Sequence, residues 1–458
     1  MRFIAVIDIG KTNAKVALFD LVEGRESDVR RAPNRVIDAP PYPHHDIDGL
    51  WRFIKEALAD LARNHQIEAI SISAHGASII LMDDKGDLAL PMLDYEHHGL
   101  DETAADYDAI RPAFEETGSP RLAAGLNVGA QLYWQQRRFP EDFARVATII
   151  PYPQYWAFRL TGQRVSEMTS LGAHTDLWNP EKRDYSSLVD AMDWRRLMPP
   201  MSDAFEPVGG LTSESAAELG LAAGLPVFGG LHDSNASLLT HLKARSAPFS
   251  VVSTGTWVIC FAIGGRAIAL DPARDTLMNV NAYGDPVPSS RFMGGRAFAA
   301  LGADPQAEVT EDDKRAVLEG GVMFLPSEPV DTGPFIGRKG GWTHQADALT
   351  PGARLYAASL YLGLMTGVCL ELIGADGPSI VEGPFSANAH YLDMLGAVTG
   401  RAVETGGAGA TGTSAGAAAL ALGRAGRMTA TGKTATAPDP RLVDYAGRWR
   451  ESVDKAQG

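Results

Sequence analysis

Two segments of the chain share one layout, in which an apolar strand, a small polar turn and a second apolar strand follow each other. The first occupies residues 3–19 and turns at Gly10-Lys11-Thr12-Asn13, and the second occupies residues 249–259 and turns at Ser253-Thr254-Gly255-Thr256. Uninterrupted apolar runs of this kind are typical of strands that are buried on both faces of a sheet. Because the second copy follows a polar joint at residues 243–248, we predict a duplicated α/β fold with domains at 1–245 and 246–458.

Length and charge restrict the class of protein further. The chain has 458 residues, more than one hydrophobic core usually serves, and its net charge of −15 opposes binding to nucleic acid or to an anionic membrane. Its two cysteines, Cys260 and Cys369, do not suit a disulfide framework, and the first ten residues lack the long apolar run of a signal peptide. We therefore expect a cytoplasmic protein that binds neither nucleic acid nor membranes. These features are compatible with a homodimer.

The first polar turn begins with Gly10-Lys11-Thr12, which are also the last three residues of a P-loop motif. A P-loop would need glycine where Ala5 stands and a helix after the turn, whereas the residues that follow are typical of a strand. The backbone N–H groups and the hydroxyl of such a turn can still bind phosphate, and Asp8 would suit a hydrated Mg²⁺. The alternative is an ordinary hairpin whose turn is capped by Asp8.

The second turn offers the same chemistry without a charge, through Thr254, Gly255 and Thr256. Either turn alone is a weak signal. Because they occupy corresponding places in the two halves, together they could hold a polyphosphate from opposite sides.

Two further segments place polar residues directly after predicted strands. Asp233 lies between the short strand at residues 227–230 and a predicted helix, so it is either the helix N-cap or a general base at the strand end. His75 follows the predicted strand at residues 69–73, and it is either a structural histidine or a hydrogen-bond partner of a sugar hydroxyl. Gly76 would then let the ligand approach the backbone. We interpret the pairs His44-His45 and His97-His98 as loop residues.

These motifs, in this order, resemble the FGGY carbohydrate kinases of the actin-like ATPase group, over residues 3–424. Asp8-Ile9-Gly10-Lys11-Thr12-Asn13 is similar to the first phosphate motif of that family, and Gly229–Asp233 is similar to the loop with its catalytic aspartate. The form of this loop and the segment Ser253-Thr254-Gly255-Thr256-Trp257 look more like rhamnulose and fuculose kinases than glycerol or xylulose kinases. The resemblance implies two duplicated actin-like (ribonuclease H-like) domains with a cleft between them.

The same resemblance implies ATP-dependent phosphorylation of a ketose, a 6-deoxyhexulose such as rhamnulose or fuculose or a pentulose, on a terminal hydroxyl. It assigns a general base (Asp233), a metal-orienting carboxylate (Asp8), sugar contacts (His75, Gly76, Glu96, Asp233), phosphate contacts (Gly10, Lys11, Thr12, Asn13, Thr254, Gly255, Thr256) and an adenosine border (Gly383, Asn388, Gly407). ATP and Mg²⁺ are the expected cofactors. A non-catalytic regulator or an ATPase of the same fold is the alternative.

The chain departs from the family pattern at three places. In the adenosine motif only Gly383 remains of three consecutive glycines, and Pro384 and Phe385 stand in the other two places. Gln154 replaces a usual aspartate, and Glu96 follows Tyr95 where relatives often carry Asn or Asp. The first change bears on the nucleotide, and the other two bear on the sugar.

Overall fold

We describe the protein from a computed structural model that describes residues 1–406, 412–430, 432–434 and 439–455. The chain forms two compact units. One comprises Met1–Arg245, Met278–Pro286 and Gly409–Thr429, and the other comprises Ser246–Leu277, Val287–Ala408 and Ala430–Gly458. Two later segments therefore belong to the first unit, which the single boundary inferred from the sequence does not capture.

Residues 1–245 alternate between strands and helices. The strands are β1 (Phe3–Ile9), β2 (Asn13–Asp20), β3 (Arg25–Pro33), β4 (Val36–Ile37), β5 (His44–His45), β6 (Ala69–Ala74), β7 (Ile79–Met82), β8 (Leu88–Leu90), β9 (Thr148–Pro151), β10 (Trp178–Asn179), β11 (Asp184–Tyr185), β12 (Pro207–Gly210), β13 (Pro226–Phe228) and β14 (Leu231–His232). The helices are α1 (Ile47–Asn64), α2 (Ala104–Asp108), α3 (Phe114–Thr117), α4 (Val128–Arg138), α5 (Pro140–Phe143), α6 (Tyr152–Thr161), α7 (Met168–Leu171), α8 (Ser187–Ala191), α9 (Ser213–Leu219) and α10 (Asp233–Ala244).

The remaining residues repeat this alternation. The strands are β15 (Phe249–Thr254), β16 (Val258–Ile263), β17 (Thr276–Val280), β18 (Pro286–Phe292), β19 (Phe324–Leu325), β20 (Gly341–Trp342), β21 (Ser379–Glu382), β22 (Val403–Gly406) and β23 (Gly432–Thr434). The helices are α11 (Gly294–Ala300), α12 (Glu311–Gly320), α13 (Pro351–Leu372), α14 (Ala389–Thr399), α15 (Gly412–Ala419) and α16 (Pro440–Lys455).

The main sheet of the first unit has the order β12-β13-β6-β1-β2-β3, and β14 also pairs with β6. β1 is antiparallel to β2 and parallel to β6. One face, with Ile70 and Ile72 of β6, packs with α1 and α6. The other face packs with α10 and α15, where the Ser71 hydroxyl donates to the Ala417 carbonyl at 2.7 Å. The sheet is therefore covered on both sides, as the apolar run of β1 predicts.

The second unit builds the same sheet. The sheet has the order β17-β18-β16-β15-β21-β22-β23, in which β15 is antiparallel to β16 and parallel to β21. A hairpin followed by parallel neighbours thus occurs in both units, and the predicted duplication of an α/β fold is confirmed.

Several sequence predictions of individual elements hold, with shifted ends. The helix predicted at residues 50–64 begins at Ile47, because the side chain of Asp46 accepts from the Gly49 N–H and caps it. His44 and His45 are not loop residues, since they form β5, which pairs with β4, and the His45 N–H donates to the Met92 carbonyl at 3.0 Å.

Helix α13 is long and apolar enough to cross a membrane by length and composition alone. However, 83% of its most apolar window is buried inside the protein. Within the second unit it is the central core helix, which explains its composition.

Candidate active site

Three strands of the first unit end together at one edge of the sheet. β1 and β14 are both parallel to β6, and both Asp8 and Leu231 pair with Ser73. The residues at or just beyond these strand ends are Asp8, His75 and Asp233. The edge formed by the carboxyl ends of parallel strands is where open α/β sheets bind their ligands.

Asp233 is the first residue of α10, and the N-cap position belongs to His232. The interpretation of Asp233 as N-cap is therefore wrong, because the helix begins at Asp233 itself, one residue earlier than a cap at this position requires. Its Oδ1 accepts from the Ser234 N–H at 2.6 Å and lies 3.2 Å from His232 Nε2. The side chain is 30% exposed. Burial raises the pKa of Asp233, and the nearby His75 partly opposes that rise.

His232 lies beside the carboxylate of Asp233 in a defined tautomer. Its Nδ1 lies 3.2 Å from Asn235 Nδ2, which can only donate, so the ring proton sits on Nε2, the atom that lies 3.2 Å from Asp233 Oδ1. Burial lowers the pKa of His232 to about 4, so the ring is neutral at pH 7.

The backbone of the same loop is tied to α7. The His232 N–H donates to the Thr169 hydroxyl at 3.1 Å, and that hydroxyl donates to Glu167 at 2.5 Å. Gln154, which stands where relatives carry an aspartate, donates its amide to the carbonyls of Gly229 and Gly230, both at 3.0 Å. Side chains from two helices therefore position the loop that precedes Asp233.

His75 is buried, with its Nδ1 3.1 Å from the Gly76 carbonyl and 3.0 Å from the Ser78 hydroxyl. Burial lowers its pKa to about 4, so the neutral ring offers Nε2 as an acceptor. A Cβ on Gly76 would lie 2.6 Å from His232 Nε2. The space that the sequence assigned to an approaching ligand thus holds the His232 imidazole.

Asp8 is buried at the end of β1, and both of its polar contacts among the described residues use Oδ2. The Thr413 hydroxyl of α15 donates to it at 2.6 Å, and Lys15 Nζ lies 3.4 Å away. Lys15 also pairs with Glu26 at 2.7 Å. Burial raises the pKa of Asp8, and the charge of Asp233 raises it further. Asp8 and Asp233 are neighbouring carboxylates, and the contacts given for Asp8 leave its Oδ1 unused. Such a pair fits Mg²⁺, which binds one or two protein carboxylates and keeps several waters. Within the described part of the chain, no three His, Cys, Asp or Glu side chains form a ready metal cluster.

The first polar turn is closed by its own backbone, since the Gly10 N–H donates to the Asn13 carbonyl at 2.9 Å. Thr12 and Asn13 are exposed at its tip. Asn34 anchors the turn from below, because its side-chain amide donates to the Gly10 carbonyl at 2.9 Å and its N–H donates to the Thr12 carbonyl at 2.9 Å.

Lys11 turns away from its own loop toward residues 94–96. Its ammonium group pairs with Asp94, lies 3.6 Å from Glu96 and sits 4.5 Å from the centre of the Tyr95 ring. The ring centroids of Tyr95 and His75 are 5.7 Å apart. The Glu96 side chain is 68% exposed. Lys11 therefore joins the phosphate turn to the predicted sugar-contacting residues.

The corresponding turn of the second unit is held in a similar way. The Gly255 N–H donates to the Trp257 carbonyl at 2.9 Å, and Thr256 is exposed. The Thr254 hydroxyl is already used, since it donates to the Glu382 carbonyl at 2.6 Å and accepts from the Phe385 N–H at 3.1 Å. Among the predicted phosphate contacts here, backbone groups and Thr256 remain available.

The predicted adenosine border is partly committed to structure. The Asn388 side chain caps α14 by accepting from the Tyr391 N–H at 3.1 Å, and it donates to the Ser359 hydroxyl at 2.9 Å. The ring of Phe385 packs on Phe298 and Tyr391, with centroids 5.5 and 5.7 Å away. Gly383 has φ +82°, and a Cβ there would lie 2.0 Å from the Thr254 carbonyl oxygen. Gly407 lies outside the described residues.

The sequence interpretation missed several residues of this edge. Lys15 had a readable signal, because a four-residue turn at 10–13 pairs it directly with Asp8 across the hairpin. The local sequence around His232 and Gln154 does not predict the contacts that these side chains make. Thr413 gave no local signal, since its partner lies 405 residues away in the chain.

Comparison with known proteins identifies the family of the chain. Residues 3–240 match the model of the FGGY family of carbohydrate kinases, N-terminal domain, and residues 246–430 match that of the carbohydrate kinase FGGY, C-terminal domain. A crystal structure of a carbohydrate kinase from Novosphingobium aromaticivorans has a TM-score of 0.92 and 34% identity, covering 100% of this chain and 99% of that one.

Curated relatives are more distant. A probable L-xylulose kinase from Haemophilus influenzae is 27% identical over 277 residues, and an L-fuculokinase from Escherichia coli is 27% identical over 272 residues. These alignments cover 57% and 56% of this chain and 57% and 55% of the relatives. A xylulose kinase structure from Lactobacillus acidophilus, with 16% identity, a TM-score of 0.80 and coverage of 100% of this chain and 99% of that one, shows the common fold. The chain belongs to the FGGY family of carbohydrate kinases.

Proposed function

We propose that this protein transfers the γ-phosphoryl group of ATP to a terminal hydroxyl of a small ketose, with Asp233 as the general base. One observation carries the proposal: Asp233 lies at the strand-end edge, where its Oδ1 accepts from the Ser234 N–H and lies 3.2 Å from His232 Nε2. We expect its second oxygen to accept from a substrate hydroxyl, and the raised pKa makes the carboxylate a better proton acceptor.

The reaction follows from these positions. As the new bond forms between the sugar oxygen and the γ-phosphorus, the hydroxyl proton moves to Asp233 and the bond from the γ-phosphorus to the bridging oxygen of ADP breaks. Bound Mg²⁺ would neutralise charge on the transferred phosphoryl group. Asp8 would hold that ion through water, and the turn at 10–13 would bind phosphate oxygens mainly through backbone N–H groups.

The charges around the site favour a neutral sugar. Among the described groups, the carboxylates of Asp8, Asp94, Glu96 and Asp233 face the ammonium groups of Lys11 and Lys15. A sugar acid would add a negative charge to a site with excess negative charge, and like charges repel. The names of the relatives include kinases of the neutral ketoses L-xylulose, L-fuculose and rhamnulose and also of the sugar acid 3-keto-L-gulonate, so the choice of a neutral pentulose or 6-deoxyhexulose rests on these charges.

A coupled assay that measures ADP release with a panel of sugars tests the proposal. The panel should contain L-xylulose, D-xylulose, fuculose, rhamnulose, glycerol, an aldopentose and 3-keto-gulonate. We expect sugar-dependent ADP release with at least one neutral ketose, and little with glycerol or the sugar acid. ADP release that no sugar accelerates would favour an ATPase, and faster turnover of glycerol than of every ketose would overturn the substrate assignment.

A further inference from the structure

Two buried imidazoles lie side by side, and one of them, His75, is close to the proposed base. The ring centroids of His45 and His75 are 5.3 Å apart, and the residues are 2% and 5% exposed. Tyr152 contacts His75, with ring centroids 5.1 Å apart, and also approaches His45 at 6.5 Å. His75 was expected to contact a sugar, whereas His45 has no role in the proposed reaction so far.

In both rings Nδ1 is the nitrogen that contacts an acceptor within the protein. His45 Nδ1 lies 3.4 Å from Asn34 Oδ1, and the amide end of Asn34 is occupied by the Gly10 carbonyl. Asn34 Oδ1 is therefore an acceptor, which places the ring proton of His45 on Nδ1. The Gly76 carbonyl places the proton of His75 on Nδ1 in the same way.

Both Nε2 atoms are consequently acceptors, and both are buried. Among the residues that the structure describes, neither atom has a hydrogen-bond partner. A buried polar atom without a partner is costly, so such atoms usually meet a ligand or an ordered water. Burial lowers the pKa of His45 to about 3 and of His75 to about 4, so protonation does not turn either Nε2 into a donor near neutral pH.

A metal ion is a poor occupant of this pair. No third His, Cys, Asp or Glu completes a ligand set with them in the described part of the chain. Two neutral acceptors at this spacing instead match two hydroxyl donors of one small polyol.

We propose that His45 is a specificity-determining residue whose Nε2 accepts a hydrogen bond from a second hydroxyl of the sugar that His75 binds. The inference rests on the proposed function and adds to it: each of the two imidazoles accepts a hydrogen bond from a different hydroxyl of the ketose. Asn34 also donates to the Gly10 and Thr12 carbonyls, and these bonds fix the amide that keeps the His45 ring in this tautomer.

The test pairs variants with substrates that lack one hydroxyl. His45→Phe and His75→Phe keep a ring and remove both nitrogens. His44→Phe is the matched control, because successive residues of a strand face opposite sides. The sugar is the best ketose of the panel, compared with its analogues that lack one hydroxyl each. Measurements are kcat/KM for sugar, KM for ATP, sugar binding by calorimetry without nucleotide, and melting temperature.

We expect His45→Phe to raise KM for sugar and the calorimetric Kd roughly 3- to 10-fold, the effect of one hydrogen bond, with KM for ATP unchanged. With the wild type, one deoxy analogue should bind about the same factor more weakly than the full sugar. With His45→Phe, the same analogue should bind no more weakly than the full sugar does. A different analogue should show this coupling with His75→Phe. His44→Phe should behave like the wild type throughout.

Equal losses for every deoxy analogue in the wild type and in His45→Phe would overturn the inference and leave the kinase function standing. Coupling of both variants to the same hydroxyl would also overturn it. If no sugar of the panel is bound or phosphorylated, the proposed function fails and the inference fails with it. Should His45→Phe not fold, His45→Met fills the apolar space with a flexible chain and carries the same comparison.

Discussion

Gly76 lies directly against the imidazole of His232: a Cβ on Gly76 would lie 2.6 Å from His232 Nε2, the atom that lies 3.2 Å from Asp233 Oδ1. The glycine is thus required by a neighbouring side chain and not by an unusual backbone angle. It ties the segment after β6 to the geometry of the proposed base.

Gly76→Ala should therefore impair catalysis by displacing His232. We expect kcat to fall at least about 10-fold, because a small misplacement of a catalytic group can cost that much. Overpacking should lower the free energy of unfolding by roughly 1–3 kcal/mol. Gly447→Ala in α16, where a Cβ meets nothing within 4 Å, is the control. Normal kcat in a folded Gly76→Ala enzyme would show that His232 does not position Asp233.

Asp233→Asn tests the base itself. The carboxylate is not the N-cap of α10, so an amide of the same size should leave the melting temperature nearly unchanged. Loss of the proton acceptor should lower kcat by roughly 10²–10⁴-fold. Asp48→Asn, an exposed acidic residue in the first turn of α1, controls for the helix dipole. Wild-type kcat in Asp233→Asn would end the catalytic assignment.

Thr413→Val removes the hydroxyl that donates to Asp8 Oδ2. We expect the Mg²⁺ concentration for half-maximal activity to rise about 3- to 10-fold, the worth of one hydrogen bond, while KM for sugar stays constant. Mn²⁺ binding in the presence of ADP, measured by electron paramagnetic resonance, gives a readout that needs no turnover. Thr240→Val, which removes a hydroxyl bonded to the Ser237 carbonyl in α10, should change neither value.

Glu167 predicts a pH dependence of stability. Burial raises its pKa from 4.5 to about 7, so between these values the folded protein binds a proton that the unfolded chain has released. Its contribution to stability is therefore present below about pH 4.5 and is lost as the pH rises through about 7.

The difference in free energy of unfolding between Glu167→Gln and the wild type should accordingly shift in favour of the variant from pH 5 to pH 8. The full shift is at most about 3 kcal/mol, and urea unfolding at several pH values measures it. The exposed Glu181→Gln should show no such trend. A difference that does not vary with pH would mean that Glu167 does not titrate in this range.

Gly383 and Gly337 have nearly the same backbone angle, φ +82° and +83°, in different surroundings. A Cβ on Gly383 would meet the Thr254 carbonyl oxygen at 2.0 Å, whereas one on Gly337 would meet nothing within 4 Å. Gly337→Ala should cost about 1–2 kcal/mol of stability for the left-handed backbone, and Gly383→Ala should cost about 2–5 kcal/mol because packing strain adds to it. Only Gly383→Ala should also raise KM for ATP. Equal melting temperatures of the two variants would contradict the close approach.

Patterns within a few residues were enough to predict much of the fold. The hairpins β1–β2 and β15–β16, the duplication of the α/β unit and the order of the motifs follow from apolar runs and small turns that are contiguous in the chain. The strand-end position of Asp233 follows from the same local order. The family resemblance added roles to residues that periodicity alone left open between structure and chemistry.

Only the tertiary structure decided which of these residues act together. The hydroxyl of Thr413 reaches Asp8 from the far end of the chain, and the ring of His232 fills the space beside Gly76. His45, a loop residue by local pattern, becomes a buried neighbour of His75 because β5 and the strand-end edge meet in the fold. Local sequence determines backbone propensity over a few residues. Burial, tautomers and raised or lowered pKa values instead depend on side chains that approach each other across long stretches of the chain, and their spacing leaves no local pattern to read.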